Sequence, residues 1–198
     1  MTAAPLARGR RVHLRHPRAS DREAFLAAVR ASRALHRPWV SPPSTPEAFA
    51  ELVRSARADT TRRLLIVRND DGPFAGVINV TQIFHGPFRS ANLGYYALQP
   101  HAGQGLMREG MRLALRHAFG ELRLHRVQAA VQPDNERSLA LLRACGFTHE
   151  GYARRYLKIG GRWRDHELWA ILAEDPRTRG QNAAGAVATA LGPRDQTK

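Results

Sequence analysis

The sequence predicts an α/β (α+β) fold in which a mixed central β-sheet carries helices on both faces. Three observations lead to this prediction. Apolar strand-like runs and amphipathic helical segments follow in the order strand, two helices, three strands, helix, strand, helix, two strands. Hydrophobic residues make up 43% of the chain, which is enough for a core. A length of 198 residues suits one domain.

Helix-capping residues and the alternation of apolar and polar residues predict the first elements. Residues 1–10 are expected to be a flexible lead-in. Val12–Leu14 alternates with arginines and predicts a first strand. The capping box Ser20–Glu23 predicts the start of a helix whose apolar face extends to Leu35, and Pro38 ends it.

A second helix is predicted to follow a proline-rich connection, with Thr45 as its cap and Pro46 at its first position. Three strands separated by turns come next: Leu64–Val67, Gly76–Ile83 and Ala91–Leu98.

The second half of the chain alternates helices and strands and ends in a hairpin. The predicted elements are a helix near residues 106–119, a strand at 126–131, a helix near 136–144 and strands near 152–159 and 163–172. Gly160–Gly161 predicts a tight turn between the last two strands. Residues 176–198 are polar, rich in Ala and Gly and without aromatics, so we expect a disordered tail.

The formal net charge of +14 comes almost entirely from arginine, as is typical of a GC-rich coding genome. A basic surface attracts polyanions such as a phosphate-rich cofactor or RNA, although a plain solvated surface explains it equally well. The single cysteine, Cys145, excludes an internal disulfide and is expected to be a small buried residue. No signal peptide and no membrane-spanning run is recognisable, so a cytoplasmic location is expected.

A glycine-containing loop follows the strand that ends at Leu98. Gly103 and Gly105 allow the backbone to approach a ligand closely, and the helix that begins after them turns its free N–H groups toward that ligand. This arrangement favours a phosphate. A G-x-G in this place is by itself also typical of an ordinary structural turn.

The next strand leads into a second helix with clear boundaries. Asp134 or Asn135 can cap its first turn, and Gly146 can close it in the left-handed conformation. A well-capped core helix explains these features. If the two strands are parallel, however, both helices begin at one cleft at the strand ends.

These residues resemble the GNAT superfamily of N-acetyltransferases. The segment Ala102–Met107 resembles the R/Q-x-x-G-x-G/A signature, and Asn135, Ser138, Leu141 and Gly146-Phe147 resemble the N-x-x-S/A-x-x-L-x-x-x-x-G-F helix. The stretches Glu150–Tyr156 and Trp163–His166 are similar to the RimJ/RimL-type ribosomal-protein N-acetyltransferases. The resemblance covers roughly residues 11–172 and implies a GNAT domain over 11–175.

The chain departs from the family pattern at three positions. Ala102 replaces the Arg or Gln of the signature, and Met107 replaces its Gly or Ala. Leu142 stands where many members place a tyrosine that acts as general acid. The first departure weakens side-chain contact with phosphate, and the third moves the acid role elsewhere.

The resemblance implies acetyl transfer from acetyl-CoA to a primary amine, without a metal. It assigns cofactor binding to Leu98, Ala102, Gly103, Gln104, Gly105, Leu106, Met107, Asn135 and Ser138. A backbone N–H near Leu98 is the candidate that polarises the acetyl carbonyl, and Ser138 is the candidate partner of the departing thiolate. For the base, Glu150 and a bound water are the candidates, although Glu150 also suits a surface carboxylate.

The leading acceptor is the N-terminal α-amine of a protein, with a ribosomal protein and ribosomal association implied by the branch. An α-amine has a pKa of about 7.7–8.0 against about 10.4 for lysine, so it needs less help to lose its proton. A homodimer follows from the branch resemblance only. The rivals are an enzyme for a small amine such as an aminoglycoside or polyamine, and a CoA-binding or RNA-binding module without catalysis.

A few further side chains invite a functional interpretation. Asp165-His166 suggests catalysis or metal binding, but a polar pair at a strand edge lining the substrate cleft is favoured. His101, beside the glycine loop, is a candidate for contact with phosphate, but a simply exposed side chain is favoured. The aromatics Trp39, Tyr152, Tyr156 and Trp163 suit either an acceptor groove or the core. For RNA binding, the sequence shows no basic cluster with exposed aromatics.

Overall fold

The computed structural model describes residues 4–70, 72 and 74–175 and contains one eight-stranded sheet. The strands are β1 (Ala7–Arg8), β2 (Val12–Arg15), β3 (Thr61–Arg68), β4 (Phe74–Phe84), β5 (Ser90–Ala97), β6 (Arg126–Val131), β7 (Thr148–Ile159) and β8 (Arg162–Leu172). The helices are α1 (Arg22–Ala31), α2 (Arg33–His36), α3 (Pro46–Arg54), α4 (Leu106–Gly120) and α5 (Glu136–Cys145). Their spatial order in the sheet is β1-β2-β3-β4-β5-β6-β8-β7.

The sheet is mixed, as predicted. Within the described residues, β5 and β6 are the one parallel pair, and every other neighbouring pair is antiparallel. Helix α4 connects the two parallel strands, as such a crossover requires. The carboxyl ends of β5 and β6 therefore lie at the same edge of the sheet.

Helices cover both faces, because alternate side chains of each strand enter two separate cores. Leu64 and Ile66 pack with α4 and α5, on what we term the α4–α5 face. Leu65 and Val67 pack with α1 and α3, on the α1–α3 face. The predicted fold class is confirmed.

The helix boundaries follow the expected chemistry at most ends. The Thr45 side chain accepts the Ala48 N–H at 3.2 Å, and Pro46 occupies the first turn of α3. Gly146 closes α5 with φ +95°. The capping box at Ser20–Glu23 was a wrong prediction, since α1 begins at Arg22 and the carboxylate of Asp21 turns back to Arg15 and the Arg18 N–H.

Two other segments differ from expectation. Ala7–Arg8, expected in the flexible lead-in, pairs with Leu14 and His13 and extends the sheet edge. The first predicted helix is divided into α1 and α2 at Ser32, whose hydroxyl donates to Ala28 O. The expected disordered tail at 176–198 lies outside the described residues. Within the described residues, no helix has both the length and the apolar character needed to cross a membrane.

Candidate cofactor and acceptor site

A gap opens between the carboxyl halves of β5 and β6. The two strands pair only from Ser90–Asn92 to Arg126–Gln128, although β5 continues to Ala97 and β6 to Val131. The Leu98 N–H donates to Ala75 O of β4 at 2.9 Å, so the backbone groups of Tyr96 and Leu98 face β4. By alternation, the backbone groups of Tyr95 and Ala97 face the gap. The strand edge there is open to a ligand.

The glycine loop after β5 presents a series of free amides at the same end. Gly103 and Gly105 have φ of +82° and +75°, a region that L side chains rarely adopt. Among the described residues, no backbone acceptor receives the N–H groups of residues 102–108. These amides include the first turn of α4, where the helix dipole also favours an anion. The loop therefore has the geometry of a phosphate cradle.

A residue from the start of the chain holds this loop in place. The Arg11 guanidinium donates to Gln104 O at 3.0 Å and pairs with the Glu109 carboxylate at 3.0 Å. The Arg11 backbone N–H donates to the same carboxylate at 2.7 Å. Local sequence patterns gave no sign of this contact.

The side chains of the loop differ in their surroundings. Leu106 is buried in the core of the α4–α5 face, so only its backbone is available to a cofactor. Met107 occupies the space next to Gly76 of β4, where a Cβ would collide with its sulfur. Gly76 thus explains how the chain accommodates Met107 where the family signature has Gly or Ala. Ala102 is half-buried and contributes no polar side chain.

Helix α5 begins on the other side of the gap, as predicted. The Asn135 side chain caps it by accepting the Ser138 N–H at 3.3 Å. The Tyr95 hydroxyl of β5 crosses the gap and donates to Ser138 O at 3.2 Å. Burial raises the pKa of Tyr95 well above its usual range, so this hydroxyl stays protonated and acts as a donor. Asn135 and Ser138 lie together at the gap, and Ser138 Oγ has no hydrogen bond within the described residues.

Two sequence expectations need correction at this site. The Leu98 N–H is already bound to Ala75 O, and the next N–H, of Gln99, donates to Ser32 Oγ at 2.9 Å, so neither is left for an acetyl carbonyl. His101 is buried, not exposed, with 5% of its surface accessible, and its Nδ1 lies 3.4 Å from an Arg68 nitrogen.

Glu150 lies in an ion pair with Arg126, the first residue of β6, and both carboxylate oxygens accept from that guanidinium. Its carboxylate is thus directed toward the strand end opposite the phosphate cradle. This geometry does not favour Glu150 as the base. Leu142, where family members often carry tyrosine, is fully buried in the core.

Two buried histidines lie on the α1–α3 face near the gap. His36 donates from Nε2 to Ala97 O, the last residue of β5, at 2.8 Å. His166 of β8 donates from Nδ1 to Arg164 O at 3.0 Å. Burial lowers the pKa of each ring below its ordinary value, so both are neutral at pH 7.

The β7–β8 hairpin forms an exposed extension beyond His166. Pairing of Lys158 with Trp163 brings a cation beside an aromatic side chain, and Trp163 is 60% exposed. The hairpin also carries exposed Tyr152, Tyr156, Arg154, Arg155 and Arg162. The expectation of no basic cluster with aromatics was therefore wrong, since strand pairing assembles one from residues that are separate in sequence.

Asp165 is engaged within this hairpin and is not a partner of His166. Its carboxylate accepts the Tyr152 hydroxyl at 2.6 Å and the Arg155 N–H at 2.7 Å. Within residues 4–70, 72 and 74–175, no group of three or more His, Cys, Asp or Glu side chains is placed to hold a metal ion.

Residues 11–148 match the acetyltransferase (GNAT) domain family. Mycobacterium smegmatis RimJ, solved in complex with CoA-disulfide, is a similar structure, with a TM-score of 0.77 and 31% sequence identity, covering 88% of this chain and 89% of that one.

Two curated proteins are similar in sequence. The [ribosomal protein uS5]-alanine N-acetyltransferase of Escherichia coli is 41% identical over 106 residues, which cover 54% of this chain and 55% of that protein. The spermidine N(1)-acetyltransferase of Vibrio cholerae is 26% identical over 149 residues, 75% of this chain and 86% of that protein. The chain spans little more than half the length of the first curated relatives that it matches.

Proposed function

Because the chain belongs to the GNAT acetyltransferase family, we propose that it transfers an acetyl group from acetyl-CoA to the N-terminal α-amine of a protein. The observation that carries the proposal is the coincidence of two features at one edge of the sheet. The gap between β5 and β6 offers an open strand edge, and the free amides of residues 102–108 lie at its entrance.

The residues at this edge fit the cofactor. The pyrophosphate is a dianion, and the amides of Ala102–Met107 with the positive end of α4 supply its donors. Arg11 adds a cation beside the loop, where Ala102 cannot. The pantetheine arm carries amides that suit the backbone groups of Tyr95 and the Ala97 N–H at the gap, and Asn135 borders the same gap from α5.

Bound acetyl-CoA supplies an activated acetyl thioester with a thiolate leaving group. The chain's own residues position the reactants and move protons around it. Tyr95 ties β5 to α5 across the gap through Ser138 O, which fixes the width of the gap. Ser138 Oγ is free to donate a hydrogen bond to the departing sulfur, because its hydroxyl has no partner among the described residues.

An α-amine suits this site better than a lysine side chain. Its pKa of about 7.7–8.0 leaves a substantial neutral fraction at pH 7, whereas a lysine of pKa about 10.4 is almost wholly protonated. A neutral histidine side chain, such as His36 or His166 at this site, is therefore sufficient as the base for an α-amine. The Escherichia coli relative, whose name specifies alanine of ribosomal protein uS5, supports a protein beginning with Ala as the first acceptor to test.

The test is thiol release from acetyl-CoA with a panel of acceptors. The panel holds peptides that begin with Ala, Ser, Met and Gly, the same peptides blocked at the N-terminus but containing lysine, and several small amines. Turnover on the free peptides that disappears on blocking supports the proposal. Binding of acetyl-CoA without turnover on any acceptor would contradict it and favour a module that binds the cofactor without using it.

A polyamine is the second candidate acceptor. The likeness to the Vibrio cholerae spermidine enzyme, which extends over 75% of this chain, favours it. The cationic hairpin beside the site opposes it, because a polyamine needs acidic side chains around its ammonium groups. If the protein acetylates spermidine in preference to every free peptide, a polyamine replaces the protein N-terminus as the proposed acceptor.

A further inference from the structure

We propose that His166 is the general base that accepts the proton of the attacking amine, directly or through one water. This inference rests on the proposed acetyl transfer and names a residue for a role that Glu150 is poorly placed to fill. It follows from the tautomer that the structure imposes, from the position of the ring in the sheet and from the contrast with His36 and His16, which also bind backbone carbonyls.

The hydrogen bond to Arg164 O fixes the tautomer of His166. A carbonyl oxygen accepts only, so Nδ1 must carry the proton, and the neutral ring then has its lone pair on Nε2. No hydrogen bond to Nε2 is formed within the described residues. The distal nitrogen, which extends furthest from the backbone, is therefore the one left to accept a proton.

The register of β8 places His166 just past the carboxyl end of β6, at the edge of the sheet where the gap opens. Glu167 pairs with Val131, the last residue of β6, so His166 lies level with the next position, Gln132. Side chains alternate along β8, and Trp169 packs on the α4–α5 face, so His166 faces the α1–α3 side. The Gln132 amide donates to Trp39 O at 3.3 Å and connects this side to the segment after α2. His166 therefore lies on the α1–α3 side, one strand from the gap, which is the side from which we propose that the amine approaches.

The surroundings keep the ring oriented and uncharged. His166 is 2% exposed, and the Tyr156 ring of β7 packs on it with 5.7 Å between centroids. Burial is the main cause that lowers the pKa of His166, while the bond to Arg164 O and the charge of Asp165 act in the opposite direction. The position level with His166, just after the end of β6, is the uncharged Gln132. The ring is therefore neutral at pH 7, as a base must be.

Two other buried histidines that bind a backbone carbonyl, His36 and His16, each differ from His166 in one respect. His36 uses its distal Nε2 to bind Ala97 O, so its remaining nitrogen lies close to its own backbone. His16 is bound like His166, from Nδ1 to Arg63 O at 2.9 Å, and burial likewise lowers its pKa. His16, however, follows β2, with β3, β4 and β5 between it and β6. It is a matched control.

The proposed step balances in atoms and charge. The amine nitrogen forms a bond to the acetyl carbon, and the carbon–sulfur bond breaks with its electron pair going to sulfur. The amine gives up one proton to Nε2 of His166, which becomes an imidazolium. That proton later returns to solvent or to the thiolate, which restores the neutral ring.

The experiment compares wild type, His166→Asn and His16→Asn over pH 5.5–9, with acetyl-CoA and an Ala-starting peptide. Asn can keep the N–H that binds Arg164 O but has no titratable distal nitrogen. We expect kcat of H166N to fall about 100-fold or more at pH 7, the usual contribution of a general base. We expect the Kd for CoA to stay within about twofold, since His166 does not contact the proposed phosphate cradle. H16N should match wild type.

Two readouts separate a base from a structural role. Wild-type kcat should fall as the pH drops through the lowered pKa of His166, because the protonated ring cannot accept, and H166N should lose this limb of the profile. Added imidazole should restore part of the activity of His166→Ala and leave H16N unchanged. If H166N loses affinity for CoA, His166→Gln takes its place in the same series.

The result that would overturn the inference is a kcat of H166N within about threefold of wild type, or a loss that is the same at every pH and is not rescued by imidazole. The wild-type enzyme tests the proposed function separately. Without wild-type turnover on any amine, the acetyl-transfer proposal fails; with turnover and an unaffected H166N, only the assignment of the base fails.

Discussion

Arg11, just before β2, binds Glu109 of α4 through both its backbone N–H and its guanidinium, although 98 residues separate the two in sequence. Burial alone would raise the pKa of Glu109, but the hydrogen bonds from Arg11 outweigh burial and lower it. The carboxylate therefore stays ionised and anchors Arg11, whose guanidinium then holds Gln104 O. The phosphate cradle is fixed by a residue outside the loop itself.

Replacement of Arg11 by Ala should weaken the binding of CoA. A charge-assisted hydrogen bond contributes about 1.5–3 kcal/mol, and about 1.4 kcal/mol corresponds to a tenfold change in Kd, so we expect roughly tenfold weaker binding by calorimetry. Acetyl-pantetheine, which lacks the pyrophosphate, should be used equally well by both proteins. Arg8→Ala is the control, since Arg8 is exposed and contacts Asn69, not the loop. If R11A and R8A lose the same affinity for CoA, Arg11 does not have the role assigned to it.

Restoring the signature residue should have the opposite effect. Ala102→Arg adds a guanidinium beside the cradle at a half-buried position, and we expect the Kd for CoA to fall about threefold to tenfold because a cation–phosphate contact is gained. The same substitution in the R11A protein should recover part of its lost affinity. Unchanged affinity in both backgrounds would show that the cradle does not hold the phosphates.

Gly103→Ala tests the backbone conformation of the loop. A Cβ at Gly103 would meet no atom within 4 Å, so the cost is conformational, at φ +82°. We expect the free energy of unfolding to fall by about 1 kcal/mol, with weaker CoA binding as the amides shift. Gly120→Ala, at the end of α4 and also unhindered, should keep both values. Denaturant unfolding and calorimetry measure the two effects.

Substitutions at Asn135 and Ser138 should have different effects, the first on the free energy of unfolding and the second on kcat. Asn135→Ala removes the cap of α5 and should cost about 1 kcal/mol of unfolding free energy, which Asn135→Asp should retain. Ser138→Ala should leave stability within about 0.5 kcal/mol, since its hydroxyl has no protein partner among the described residues. It should still lower kcat several-fold. An unchanged kcat in S138A would exclude the serine from the departure of the thiolate.

Glu150→Gln should leave kcat within about threefold of wild type, in contrast to H166N, because the carboxylate is held by Arg126 away from the cradle. Loss of the partly exposed ion pair should change the unfolding free energy by about 1 kcal/mol or less. A large fall in the kcat of E150Q, with loss of the pH dependence seen in wild type, would identify Glu150 as the base.

Local sequence signals were sufficient for most elements of this fold. Thr45-Pro46 marked the start of α3, Gly160–Gly161 marked the final hairpin, and the glycine loop marked the start of α4, because each reports a backbone requirement within a few residues. Ser20–Glu23 failed for the opposite reason. The ion pair of Asp21 with Arg15, which lies on β2 six residues earlier, competed with the expected cap, and the helix begins at Arg22.

Local sequence signals predicted only part of the candidate site. The loop and the Asn135–Ser138 turn are contiguous, so motif and spacing located them. Arg11 and Tyr95 reach the site through side-chain contacts over long sequence distances, which no local pattern records. His166 was noted in the sequence beside Asp165, but its tautomer and its place at the end of β6 depend on the fold. The position of Glu150 in the sequence suggested it as the base. Its ion pair with Arg126 depends on β6 and β7 lying in one sheet, which no local pattern predicts.

The most direct test of the central claim is the site of acetylation on one peptide that begins with Ala and also carries an internal lysine. The peptide is incubated with the protein and acetyl-CoA and sequenced by tandem mass spectrometry. We predict a single acetyl group on the N-terminal nitrogen, with the lysine unmodified. Acetylation of the lysine, or no acetylation while spermidine is consumed, would contradict the account.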